Sequence, residues 1–172
     1  MTDTPRRRLD IVLAPEFVDG LDSLSLDELR DRRELVDAVE TELSFYRRLL
    51  HGRMDLLDFE RRRRSGEESR SLIEALPEIL TGGDQTGGGM GRQIRGGFAP
   101  DLEFGPGKRK IDRVLEDGFL ANLPSIDDEE LAAIRDSLVE TEHEISERRR
   151  GVHGVHDRLQ GEITGRYTDV PS

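Results

Sequence analysis

Five polar residues occur at two places in the chain, in one order and at one spacing. Glu40, Ser44, Arg47, His51 and Asp55 lie 4, 3, 4 and 4 residues apart, and Glu142, Ser146, Arg149, His153 and Asp157 repeat the same types at the same intervals. On a helix, at about 100° per residue, such a set stays on one face. The chemistry on offer is recognition of bases and anions. An arginine fork suits O6 and N7 of guanine. A Glu or Asp carboxylate accepts hydrogen bonds from guanine N1–H and its 2-amino group. Arginine and serine hydroxyl groups hold phosphate, and guanidinium planes stack on purine faces. A symmetric guanine dinucleotide with two phosphates meets all of these needs on a two-fold surface. A solvated, salt-bridged helix face needs no ligand, and is the commoner use of a single stripe of this kind. Recurrence of all five types weighs against that reading, because a helix seam requires only its apolar residues to be repeated.

The repetition extends well beyond the five. Shifted by 102 positions, residues 6–60 fall on 108–162 without a gap, and 20 of the 55 aligned positions are identical. Outside the stripes the identities include Asp10/Asp112, Phe17/Phe119, Leu21/Leu123, Leu29/Leu131, Arg33/Arg135, Arg48/Arg150, Gly52/Gly154 and Leu57/Leu159. Shared helical composition gives far fewer, so the chain holds a duplicated unit.

Each unit reads as a basic triplet (Arg6–Arg8, Lys108–Lys110), a short mixed segment and one long helix. Ser25 with Glu28, and Asp127 with Glu130, have capping-box spacing. The spacing predicts helices over 26–64 and 127–164, stopped by Gly66 and Gly165. Arg61–Arg64 suit the negative pole of the first helix. With Leu29 as heptad position a, the a residues are Leu29, Val36, Leu43, Leu50 and Leu57, then Leu131, Leu138, Ile145, Val152 and Leu159. The d residues are mixed: Arg32, Val39, Tyr46 and Arg53, then Ile134, Thr141, Arg148 and Val155. One clean and one impaired stripe per helix fit a coiled coil. The expected fold is therefore all-α: an antiparallel two-helix coiled-coil hairpin with short flanking helical segments and a Gly-rich linker.

The boundaries that follow are an N-terminal segment 1–25, helix 26–64, linker 65–126, helix 127–164 and tail 165–172. Within the linker, residues 69–80 suit a short helix disturbed by Pro77. Residues 81–97 hold eight glycines in seventeen positions and read as a loop. In the antiparallel arrangement both polar stripes share one side, and the pairs Arg47/Arg48 and Arg149/Arg150 approach each other at its centre. The helical glycines, Gly52 and Gly154 among them, cost about 1 kcal/mol each against alanine. A group packed close to the backbone at Gly52 and Gly154 would compensate.

Composition narrows the function classes. Apolar residues make up 34% and charged residues 37% of the 172, too little apolar material for a thick core. A formal net charge of -11 argues against a general nucleic-acid binder and suits a basic protein partner. No cysteine is present, which removes disulfides, thiolate zinc sites and cysteine nucleophiles. No apolar run approaches a membrane span and no signal peptide is visible, so a cytoplasmic location is expected.

At the two stripes the sequence resembles the RsiG family. Its pattern is Glu-x3-Ser-x2-Arg-x3-Gln-x3-Asp, present twice on a helical hairpin. The resemblance implies an anti-sigma factor of the sporulating actinobacteria, which needs cyclic di-GMP to hold the sigma factor WhiG away from RNA polymerase. It also implies two cyclic di-GMP molecules, bound by Glu40, Ser44, Arg47 and Asp55 with Glu142, Ser146, Arg149 and Asp157. The family glutamine is His51 here and His153 in the second copy. A neutral histidine still donates and accepts, and a charged one favours phosphate.

The same residues admit other classes of function. A coiled-coil adaptor that binds protein and no nucleotide has the same helices. His153, His156 and Asp157 share a helix face and suggest a metal site, but Met54 replaces His156 in the first copy. Carboxylate acid–base chemistry needs a closed pocket, which a thin hairpin lacks, so no enzyme activity is expected. Direct DNA binding would rest only on the short basic runs.

Overall fold

A computed structural model of the chain describes residues 8–82 and 119–168. Arg6 and Arg7, residues 83–97 of the Gly-rich stretch, the Lys108–Lys110 triplet and the tail beyond Thr168 lie outside the described residues. All regular structure among the described residues is helical. In chain order it comprises α1 (Arg8–Leu13), two 3-10 turns (Pro15–Phe17 and Leu21–Ser23), α2 (Leu26–Ser65), α3 (Leu72–Gly82), α4 (Phe119–Asn122), a third 3-10 turn (Leu123–Ser125) and α5 (Asp128–Thr168).

The chain divides into two compact units, both traversed by α2 and α5. Met1–Phe45 with Ile145–Ser172 make the first, and Tyr46–Glu144 the second. In the first unit the two helices run antiparallel. Arg30, near the start of α2, donates to the Tyr167 hydroxyl at the end of α5, while Glu40 meets Arg149 further along. Leu29, Val36, Val39, Leu43, Ile145, Val152, Leu159 and Ile163 are its buried apolar side chains, joined by Leu9, Val12, Phe17 and Leu21 from the segment before α2. The second unit is likewise antiparallel: Arg47 meets Glu142, Asp58 meets Arg135, and Arg64 meets Asp128. Tyr46, Leu50, Leu56, Leu57 and Phe59 are buried there with Phe119, Leu123, Leu131, Ile134 and Leu138.

All ten a residues are fully buried. The mixed d stripe has a physical reason. Arg32 stacks over the Phe17 ring at 5.2 Å and donates to the Phe17 carbonyl, and Arg53 lies over the Phe119 ring at 6.0 Å. The short segments before each long helix thus supply aromatic rings that cover guanidinium stems at d, where apolar residues are missing. Thr141 is buried at another d position because its hydroxyl donates to the Ser137 carbonyl at 2.8 Å.

The duplication is visible in local hydrogen bonding. Leu21–Ser23 and Leu123–Ser125 are corresponding 3-10 turns, and in each the serine hydroxyl donates 2.7 Å to the carbonyl three residues back, Gly20 or Asn122. Ser25 closes the capping box on α2: its Oγ accepts from the Glu28 N–H at 3.2 Å, and Glu28 Oε2 accepts from the Ser25 N–H at 2.7 Å. On α5, Asp127 accepts from the Glu130 N–H at 2.7 Å.

Gly66 ends α2 as expected. Its φ of 83° allows the Glu67 N–H to reach the Arg62 carbonyl at 2.9 Å and its own N–H to reach Arg63 at 3.3 Å. Gly165 does not end α5, which continues to Thr168. The cause is Arg166, whose guanidinium donates to the carbonyls of Leu21 at 2.8 Å, Asp22 at 3.1 Å and Leu24, so a further turn is held against the start of α2. No described residue of the chain packs against the backbone at Gly52 or Gly154. A Cβ at either would meet nothing within 4 Å, because both point away from the seam. The helical glycine with a close neighbour is Gly151, where a Cβ would stand 3.0 Å from Leu13 Cδ2 of α1.

Candidate functional site

Each unit holds one polar cluster, and each cluster draws on both copies of the motif. In the first unit Glu40 Oε1 on α2 accepts from Ser44 Oγ at 2.7 Å and from Arg149 Nε on α5 at 2.9 Å. His153 Nε2 lies 3.3 Å from the same oxygen. Arg149 Nε also meets Ser44 Oγ at 2.8 Å. In the second unit the roles exchange helices. Glu142 Oε1 on α5 accepts from Arg47 Nε on α2 at 2.8 Å, with His51 Nε2 at 3.1 Å. The motif residues therefore assemble as Glu from one copy with Arg and His from the other.

The reason is the antiparallel pairing. Glutamate comes early in each motif and arginine seven residues later, so when the helices run in opposite directions each glutamate faces the other helix's arginine. Reading each stripe as a set on its own helix groups the right residues by face. It does not foresee that Glu40 works with Arg149 and Glu142 with Arg47. Two motif positions stand apart. Asp55 is exposed and makes no hydrogen bond or ion pair among the described residues, and Asp157, also exposed, lies 3.5 Å from His156 Nδ1. Ser146 is half-buried on α5, between Glu142 and Arg149.

The electrostatics of the first cluster are resolved. Burial pushes the Glu40 carboxyl up, but the hydrogen bonds from Ser44, Arg149 and His153 and the charge of Arg149 outweigh it, so its pKa lies below the ordinary carboxylate value. Glu40 is thus an anion at neutral pH and matches the charge of Arg149. One of its oxygens gathers all three protein donors. Among the described residues its second oxygen, Oε2, carries no hydrogen bond, and neither do the terminal nitrogens of Arg149. An open acceptor thus stands beside an open double donor, both about a third exposed.

His153 and His156 meet different carboxylates of α2. His153 is at Glu40, and His156 lies 3.6 Å from Asp37. No group of three or more His, Asp or Glu among the described residues is arranged to hold a metal ion. No helix among them is long and apolar enough to cross a membrane.

The duplication recurs in the comparison with known proteins. A family model described as RsiG-like matches residues 15–80 and 117–172, one stretch for each motif copy. No curated protein matches the chain.

Proposed function

The chain belongs to the RsiG-like family, whose role is that of an anti-sigma factor, and from that premise we propose that it binds cyclic di-GMP at the two clusters and, when liganded, sequesters a WhiG-type sigma factor from RNA polymerase. The observation that carries the nucleotide reading is the open edge of the first cluster. Guanine presents two acceptors, O6 and N7, beside two donors, N1–H and the 2-amino group. Arg149 offers two free donors and Glu40 one free acceptor on the same exposed face. Adenine has an amino donor in place of O6, an acceptor in place of N1–H and no 2-amino group, so the pair discriminates between the purines. Arg47, His51 and Glu142 serve the second cluster, with Ser146, Asp55 and Asp157 beside the two, which accounts for two ligand molecules. His51 and His153 stand where the family pattern has glutamine and already bond the glutamate, so they fix the carboxylate's orientation for the base.

The role is one of binding, not catalysis. Both clusters are part-exposed on helix faces, which suits binding, whereas acid–base chemistry works in a closed pocket. Sporulation control and a cytoplasmic site of action belong to the same reading, because a sigma factor works where RNA polymerase does. The net charge of -11, with Asp128, Glu129 and Glu130 exposed at the start of α5, suits a basic partner.

Isothermal titration with cyclic di-GMP tests the first step, with cyclic di-AMP and GTP as controls. Selective binding is expected, and Arg47→Ala with Arg149→Ala should weaken it by about a hundredfold, since each loses a charge-assisted fork worth about 1.5–3 kcal/mol. A pull-down of a WhiG-type sigma factor tests the second step, and capture should require the nucleotide. A flat titration both with and without the sigma factor would leave a coiled-coil adaptor whose clusters only join helices.

A further inference from the structure

We propose that Arg150 in the first unit and Arg48 in the second each hold a phosphodiester of the nucleotide bound at that unit's own cluster, and that the bare helix backbone at Gly154 and Gly52, respectively, is the floor on which it lies. The proposal rests on the nucleotide reading of the two clusters and adds to it the groups that answer the ligand's charge.

Charge balance points to these arginines. A cyclic dinucleotide carries two negative phosphodiesters. Within the clusters Arg47 is matched by Glu142 and Arg149 by Glu40, so the motif itself brings no surplus positive charge. Arg48 and Arg150 follow directly in the chain. Both are exposed, and neither has a hydrogen bond or ion pair among the described residues. They sit at heptad position f, where the seam asks for nothing, yet the identity recurs in both copies.

The glycines give a second, independent sign. Gly52 lies four residues after Arg48 and three before Asp55, and Gly154 stands likewise between Arg150 and Asp157. Residues at these offsets share one helix face. Neither glycine has a positive φ, and a Cβ at either would meet open space. The fold therefore does not require glycine there, although glycine weakens a helix. The other glycines of α5 in the aligned stretch, Gly151 and Gly161, have no counterpart in the first copy, where Leu49 and Phe59 stand. A glycine kept in both copies without structural need, one turn from an unpaired arginine, leaves room for a flat group to lie against the backbone. The phosphodiester then comes to the arginine and the ring to the bare turn.

Titration of the full chain with cyclic di-GMP at two salt concentrations tests this, on the wild type, R48A/R150A, R48K/R150K and G52A/G154A. R48A/R150A should bind at least about tenfold more weakly, lose most of the salt dependence and melt as the wild type does. R48K/R150K should recover part of the affinity, because phosphate accepts a point charge. G52A/G154A should melt higher and bind more weakly, a combination that general damage does not produce. If the wild type binds and R48A/R150A binds equally well, the arginine assignment is overturned and the nucleotide reading stands. Unchanged affinity in G52A/G154A overturns the floor. A wild type that binds no cyclic di-GMP, alone or with the sigma factor, overturns the nucleotide reading and this proposal with it.

Discussion

The glycines of the long helices provide a graded test, because each sits in a different environment. At Gly154 a Cβ would meet nothing within 4 Å and the backbone is helical, so alanine should add its full helix preference, about 1 kcal/mol. For a chain of this size, that shifts the melting temperature by about 2–4 °C. Gly52→Ala should do the same, and the two together about twice as much, because neither substitution touches the other's neighbours. At Gly151 the added carbon would stand 3.0 Å from Leu13 Cδ2, so Leu13 must give way by a few tenths of an ångström. Leu13 is partly exposed and can do so, which predicts a smaller gain. At Gly66 the φ of 83° places alanine in the left-handed region, at a cost of about 1–2 kcal/mol. The expected order of stability is Gly154→Ala above Gly151→Ala, and both above Gly66→Ala, which falls below the wild type. Urea and thermal unfolding followed by far-ultraviolet circular dichroism, without nucleotide, measure it. A Gly154→Ala chain that melts below the wild type would refute the reasoning, since something would then have to occupy the space beside that turn.

Two further predictions concern carboxylates. Glu60 is buried; its Oε2 accepts from Arg63 Nε at 2.8 Å, and its Oε1 from Arg63 Nη2 and Arg64 Nε, each at 2.8 Å. Arg64 continues to the Leu123 carbonyl at 3.1 Å and to Asp128 at 2.7 Å, so Glu60→Ala should loosen the end of the second unit and lower stability by about 2 kcal/mol, less than a fully buried pair because both arginines reach solvent; an unchanged urea midpoint would dispose of this role. The second prediction is for pH. Arg63 hydrogen bonding lowers the Glu60 carboxyl, and Glu40 is lowered on balance as well, both from an ordinary value of 4.5. Groups depressed in the folded state add stability that is complete above the unfolded pKa and is lost as pH falls through the folded one. Stability should therefore hold from neutral pH down to about 5 and decline below 4.5, with a shallower decline in Glu40→Gln and Glu60→Gln, and a chain that gains stability below pH 4.5 would contradict both assignments.

The seam was legible because burial follows periodicity: every a residue from Leu29 to Leu159 is where the heptad puts it. The Ser25 cap, the Asp127 cap and the Gly66 stop were legible because each depends on neighbours three or four residues away. What escaped was set by partners distant in sequence. Gly165 reads as a stop until Arg166 is seen to reach the carbonyls of Leu21, Asp22 and Leu24. Arg32 and Arg53 look like faults in the d stripe until the Phe17 and Phe119 rings are in place. The ten motif residues were visible by type and spacing, but it was not visible that Glu40 groups with Arg149 and Glu142 with Arg47, with Asp55 and Asp157 apart. Periodicity along one helix fixes a face. It does not say which residue of the other helix meets it.

That grouping has a consequence for how a second messenger could govern a partner. A ligand held by Glu40 and Arg149 touches α2 and α5 together, as does one held by Arg47 and Glu142. Its binding energy then adds to the pairing of the two helices in that unit. A nucleotide at a hundred times its dissociation constant contributes about 2.7 kcal/mol to whatever it binds. The clusters without ligand contribute little of their own, because half-exposed ion pairs are worth about 0–1 kcal/mol each. The clusters thus add little to a pairing held by the buried seam, and a small anion that matches them would add more than they do. Had Glu and Arg of each cluster come from the same helix, the same ligand would have decorated one helix and left the pairing as it was. Antiparallel duplication is what makes Glu40 with Arg149, and Arg47 with Glu142, two joints between the helices, which a ligand bound there would tighten.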